Sequence, residues 1–172
     1  DLSRVRAQGA YLAGTVARRA IWRQARLFRA VLDGCEMARA DFTEADLRHA
    51  HLEGSRFEKA TFRSTRLSCG NFKGAFLRNA DFTGATLTGA MLSDSDFIGA
   101  VLTGVNLARA VGVAADFSGA DLTGVDARQA YLRGSRFSGA DLAGARFLEA
   151  DLREADFEGA ELEGADFRRA RL

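Results

Sequence analysis

The sequence predicts an all-β solenoid whose backbone turns one corner every five residues. Three observations carry this: Leu or Phe recurs at every fifth place, a small residue stands two places before each, and glycine favours the place two after. The period is plainest in EADLREADFEGAELEGADF, residues 149–167, where Leu152, Phe157, Leu162 and Phe167 keep the beat. An amphipathic helix repeats every 3.6 residues and a strand every two. A period of five fits neither.

Counting in fives from Leu2 gives 35 positions, of which 18 are Leu and 11 are Phe. Ala7, Ala17, Trp22, Met37, Gly112 and Ala127 complete the set, and we call these positions centres. Two residues before a centre, 24 of 34 places hold Ala, the rest being Ser, Thr, Cys, Val or Gly. Two residues after a centre stand 16 of the 18 glycines. The frame runs the length of the chain without insertion or proline. On a helix successive centres would rotate by about 140° and scatter, and on a straight strand they would alternate between faces. They share one interior only if the backbone bends once per quintet. The Ala-sized residue then points inward beside a neighbouring Phe, and glycine takes the corner because it tolerates positive φ.

Four right-angled corners give a coil of 20 residues. Sorted in a cycle of 20, one class of centres holds five Phe (Phe57, Phe97, Phe117, Phe137, Phe157), whereas the class of Leu12, Leu32 and Leu52 holds only Phe72. Rings one coil apart are therefore expected to stack along one wall.

Stretches such as ADFTGATLTGA, ADFSGADLTGV and ADLREADFEGA resemble the pentapeptide-repeat family: a small residue, a polar one, Leu or Phe, and two variable places. The resemblance covers essentially the whole chain and implies a right-handed quadrilateral β-helix of about 8.5 coils of 20 residues. At about 4.8 Å per coil that is a rod of roughly 40 Å. Residues 1–172 are expected to form a single β-helix, an excised tract of a longer protein, because the chain starts at Asp1 and the repeat is in step at both ends. Bare coil ends also suggest an end-to-end homodimer.

The composition excludes several classes. A net charge of +1 gives no polyelectrolyte character, and no apolar run is long enough to span a bilayer. Cys35 and Cys69 make no disulfide framework, which favours a reducing, cytoplasmic setting. No catalytic triad, phosphate loop or paired carboxylates in a cleft can be assembled, and a rod filled with side chains offers no deep site. The chain is expected not to be an enzyme, and no cofactor is expected.

Function must then lie on the outside. In steps of 20, Tyr11, Val31, His51, Asn71, Met91, Val111 and Tyr131 form one outward line, with Val113 beside it. Tyr11, Val31, Met91, Val111, Val113 and Tyr131 are the candidate partner surface, and Gly112 in the same wall should leave a dent in the core. Phe76, Ile98 and Val101 lie outward on other walls. A second line, Arg19, Arg39 and Lys59, is a candidate basic patch. Residues 1–80 hold 15 Lys/Arg against 8 Asp/Glu, and residues 81–172 hold 9 against 15, so the halves carry +7 and −6. Opposite charges alternate along Asp116–Arg136–Asp156, Asp126–Arg146–Asp166 and Arg26–Asp46–Arg66, a pattern that disfavours slipping by one coil. His49 and Cys69 should stack with His51 nearby, which gives two or three ligands, short of a closed zinc site.

The leading expectation is a non-catalytic protein–protein interaction scaffold, the repeat domain of a larger, secretion-associated bacterial protein. Its partners would be another protein or flanking domains of the same chain. The alternative that the resemblance implies is a DNA-mimicking protein of the quinolone-resistance type that binds DNA gyrase; the basic first half departs from that pattern. A minor alternative is a metal- or thiol-dependent site around His49, His51 and Cys69. Direct nucleic-acid binding is not expected, since the aromatic among the arginines, Trp22, is a centre.

Overall fold

Quintets inside the rod share one recurring set of backbone hydrogen bonds, as the quintet of Phe57 shows. In the computed structural model, which describes all 172 residues, Phe57 N–H donates to Phe76 O at 2.7 Å and Lys59 N–H to Arg78 O at 2.9 Å, both in the next coil. Thr61 N–H donates back to Ala40 O at 2.9 Å, and Ala60 N–H closes the corner on Phe57 O at 2.9 Å. Within that turn only the third residue, Lys59, has positive φ, at 59°. This is the pattern of a type II turn.

The corner recurs from Arg4 to Arg169, with 16 glycines and 18 other residues at the left-handed place. Left-handed backbone costs an L-residue about 1–2 kcal/mol. Where glycine is absent, long polar side chains often pair along the rod. Arg4 Nε donates to Gln24 Oε1 and Gln24 Nε2 to Glu44 Oε2, both at 2.8 Å. A second such ladder runs Arg109–Gln129–Glu149–Arg169, with contacts of 3.2, 2.9 and 3.3 Å.

Between corners each wall pairs with the coils above and below through parallel bridges 20 residues apart, from Arg6–Arg26 to Asp151–Arg171, with no slip of register. The bridging residues define four walls. The first carries Ile21, Asp41, Thr61 and their successors, the second Arg26, Asp46 and Arg66, the third Val31, His51 and Asn71, and the fourth Glu36, Arg56 and Phe76. The result is a quadrilateral β-helix.

The amide left over in each quintet is that of the residue after the centre. Asp or Asn before the centre caps it: Asp41 Oδ1 accepts from Thr43 N at 2.9 Å, Asp81 Oδ1 from Thr83 N at 2.9 Å and Asp116 Oδ1 from Ser118 N at 3.0 Å. This is why Ala-Asp-Leu and Ala-Asp-Phe recur as words. Partial burial of Asp81 works against ionisation, but the Thr83 hydroxyl and amide and the Arg63 guanidinium outweigh it and lower its pKa. Inner hydroxyls also find partners: Ser55 Oγ donates to Leu32 O at 2.5 Å, Thr65 Oγ1 to Phe42 O at 2.8 Å and Ser135 Oγ to Gly112 O at 2.6 Å. Among buried side-chain nitrogens and oxygens, Trp22 Nε1 alone is unpaired.

The core is one cluster of apolar residues buried from Trp22 to Leu152. Centres in the end coils are covered on one side, so Leu2 is 39% and Leu162 41% exposed. Two expectations need correction. Rings stack along more than one wall: Trp22–Phe42–Phe62–Phe82 in the first, with centroids 6.1, 5.1 and 4.7 Å apart, Phe97–Phe117–Phe137–Phe157 in the fourth, 5.0, 5.3 and 5.0 Å apart, and the pair Phe147–Phe167 in the second, 5.1 Å apart. The first- and fourth-wall columns meet through the tilted Phe82–Phe97 contact at 5.6 Å. Gly112 leaves no open dent, because Leu132 leans into the space and its Cδ2 would lie 2.9 Å from an added Cβ.

Candidate interaction surface

The third wall carries the proposed ladder in the expected register: Tyr11, Val31, His51, Asn71, Met91, Val111 and Tyr131 are successive bridge partners. Met91, Val111, Val113 and Tyr131 are 46%, 37%, 43% and 57% exposed. They form one strip because Val113 lies at the corner side of Val111. A shallow depression open to solvent, lined by Asn71, Lys73, Met91, Ser93, Asp94, Val111 and Val113, adjoins it. Tyr11 and Val31 share the wall but are separated from the strip by His51 and Asn71, so the six residues fall into two patches. Beyond Tyr131 the strip ends at Asp151, which the bound Arg153 guanidinium holds down at a pKa of about 2.

The other outward apolar residues do not extend it. Phe76 is on the fourth wall beneath the Arg56 guanidinium, 4.9 Å from the ring centroid. Ile98 and Val101 are half-buried on the fourth and first walls.

Most ion pairs follow one of two geometries other than the straight vertical line expected from the sequence, which Asp46–Arg66, Asp116–Arg136 and Glu149–Arg169 keep. Some join neighbouring coils diagonally, as in Arg23–Asp41 and Arg78–Asp96, both 2.5 Å. Others clamp one turn, as in Asp46–Arg48 at 2.6 Å and Asp126–Arg128 at 2.7 Å. Of the alternating lines, Asp46–Arg66 at 3.6 Å and Asp116–Arg136 at 3.7 Å are in contact. Arg146 pairs with neither neighbour, and Arg128 and Arg168 hold Asp126 and Asp166.

Arg19, Arg39 and Lys59 stack at the corner between the fourth and first walls, all exposed and all left-handed. None of the ion pairs includes them. An acidic column, Asp121–Asp141–Glu161, continues the first wall at the other end and is equally free of ion pairs. The sequence signal for it was the same step of 20, applied to the line of Asp41.

The thiol and imidazole groups do not converge. His49 sits at a corner with its ring edge-on to Phe28, centroids 5.6 Å apart, and Cys69 is exposed one coil further on. No three His, Cys, Asp or Glu side chains are grouped to hold a metal ion.

A four-sided coil with stacked Leu and Phe centres and one corner per quintet defines a β-solenoid repeat protein. The family model described as pentapeptide repeats matches in eight copies, over residues 8–43, 40–79, 65–104, 80–111, 90–126 and 135–172. The chain belongs to that family, and its fold is the right-handed quadrilateral β-helix. No curated protein matches its sequence. Among solved structures, a trypsin-treated form of QnrB1, described as a plasmid-mediated fluoroquinolone resistance protein, is 23% identical; the match covers 96% of this chain and 85% of that one, with a TM-score of 0.60. Full-length QnrB1 is 22% identical over 95% of this chain and 89% of that one, with a TM-score of 0.51. HetL, a pentapeptide repeat protein involved in heterocyst differentiation regulation in the cyanobacterium Nostoc, is 25% identical over 99% and 90%, with a TM-score of 0.35. At these identities the likeness to QnrB1 is one of fold.

Proposed function

We propose that the chain is a non-catalytic scaffold that docks a protein partner on its third wall. One observation carries the reading: Met91, Val111, Val113 and Tyr131 form a contiguous exposed apolar strip on a flat, rigid face. Scattered exposed apolar residues are ordinary, but a contiguous strip rimmed by polar residues marks a contact surface. The rim is present in Asn71, Lys73 and Asp94 below and Asp151 above. Walls locked by inter-coil backbone hydrogen bonds present such a strip without a backbone ordering cost on binding.

The test is the triple variant Met91→Lys, Val111→Glu, Tyr131→Glu, compared with wild type in quantitative pull-downs from the native cell. The proteins enriched by the wild type should be lost while the circular dichroism is unchanged. An unaltered set of captured proteins would remove the third wall from consideration.

A second reading has one observation behind it: residues 81–172 carry a net −6 on a QnrB1-like rod, as a mimic of duplex DNA requires. The +7 of residues 1–80 opposes it. A gyrase supercoiling assay with the purified chain separates the two, since a scaffold leaves supercoiling unchanged at micromolar concentration.

A further inference from the structure

Two charged columns are left without ion-pair partners on neighbouring parts of the same side of the rod. The basic column Arg19–Arg39–Lys59 lines the corner that opens the first wall, two residues ahead of Ile21, Asp41 and Thr61. The acidic column Asp121–Asp141–Glu161 occupies that wall two residues after the same corner, at its far end. Three cations stacked one coil apart repel one another, as do three carboxylates; no ion pair offsets either, the acidic column having only hydrogen bonds from Thr103 Oγ1 and the Thr123 amide to Asp121 and from the Ala143 amide to Asp141. Elsewhere on the wall the charges are satisfied: Arg23 pairs with Asp41, and Arg63 with Asp81.

The two columns share one pitch, because the same coil builds both. The numbering also matches: Arg19 with Glu161, Arg39 with Asp141 and Lys59 with Asp121 each sum to 180, so the pairs are symmetric about the level of residue 90. Turning the rod over about a two-fold axis at that level, lying across the first wall, keeps the shared corner on the same side. It brings each basic column to the level of the acidic column of the other copy, two residues aside and within reach of the long Arg and Lys side chains. We propose that two copies of this chain associate side by side and antiparallel through their first walls, with three ion pairs at each end of the interface. Around the axis the facing wall residues are Thr83, Val101 and Thr103, with Asp81 already held by Arg63. An isologous contact of this kind closes on itself and stops at two copies. The third wall lies opposite the first, so the dimer would present its two apolar strips outward, in opposite directions. The dimer does not depend on the third wall being a docking site.

The test uses two charge reversals, Arg19→Glu with Arg39→Glu, and Asp141→Lys with Glu161→Lys, read by sedimentation equilibrium at low salt. Wild type should be a dimer that dissociates as salt is raised, because the exposed pairs are screened. Each reversal should weaken dimerisation by at least about 100-fold, since like charges then face each other. Mixing the two variants, or combining all four substitutions in one chain, should restore the dimer. The mixing step separates lost complementarity from lost folding, and an unchanged far-ultraviolet spectrum checks the latter directly. A wild type that is monomeric even at low salt, where the pairs are least screened, a dimer that survives both reversals, or assemblies that grow without limit as in a staggered parallel contact, would each overturn the proposal.

Discussion

Phe117→Ala probes the shared interior where it is most complete. Phe117 is fully buried, with its ring stacked 5.0 Å from Phe97 and 5.3 Å from Phe137. A buried Phe removes about 200 Å² from water, worth about 5 kcal/mol at about 25 cal/mol per Å², an upper value because the unfolded chain is itself partly collapsed. Large-to-small changes at rigid sites cost about 3–5 kcal/mol. Here the neighbouring rings cannot close the gap, since coil hydrogen bonds such as Phe97 N–H to Asp116 O and Phe117 N–H to Arg136 O, both 2.7 Å, fix the spacing of their backbones. The expected loss is therefore about 4 kcal/mol, in the middle of that range. Leu162→Ala is the control: this centre is 41% exposed in a coil covered from one side, and its truncation should cost about 1 kcal/mol or less. Guanidinium denaturation followed by circular dichroism measures both. Equal losses at the two sites, or a Phe117→Ala loss below about 2 kcal/mol, would refute a continuous dry core that is weakest at its ends.

Two further outcomes follow from the corners and their caps. Ala114 holds a φ of 56°, so Ala114→Gly should stabilise the chain by about 0.5–1 kcal/mol in the same assay, and Gly124→Ala, at 65°, should destabilise it by a similar amount. The capping carboxylates give the pH dependence. Asp151 and Asp166, hydrogen-bonded by Arg153 and Arg168, titrate at about 2 instead of 3.8, and Asp46 and Asp126 are lowered by their bound arginines. A depressed carboxylate stabilises the fold fully above its unfolded pKa and loses that contribution as pH falls through the folded one. The denaturation midpoint should therefore hold between about pH 7 and 5 and drop from about pH 4 toward pH 2; a midpoint that rises on acidification would contradict the capping role.

The backbone path was legible in the sequence because the centre, the small inner residue and the corner each have one physical requirement. Leu and Phe must be dry, Ala must fit beside a ring, and the left-handed corner favours Gly. The third-wall ladder and the corner stack of Arg19, Arg39 and Lys59 followed from the step of 20 and stand where that step places them. Side-chain choices were less legible. The Trp22–Phe82 column is harder to see in a count of Phe alone, because its first ring is an indole. The step of 20 points to vertical ion pairs, which Asp46–Arg66 and Asp116–Arg136 make, but not to the diagonal ones, in which the arginine after one centre leans to the carboxylate before the centre one coil on, as in Arg63–Asp81. Gly112 read as a void because composition says nothing about Leu132 leaning into it.

The most direct test of one corner per quintet, and of a coil of 20 residues, is distance measurement between spin labels along one wall. With Cys35→Ala and Cys69→Ser removing the native thiols, one label is fixed at Val31 and the second is placed in turn at Val111, Tyr131 or Asp151, all on the third wall. The separations should be about 19, 24 and 29 Å, rising by about 4.8 Å for each 20 residues. Increments that are unequal, or several times larger, would show that the chain does not wind in coils of this length.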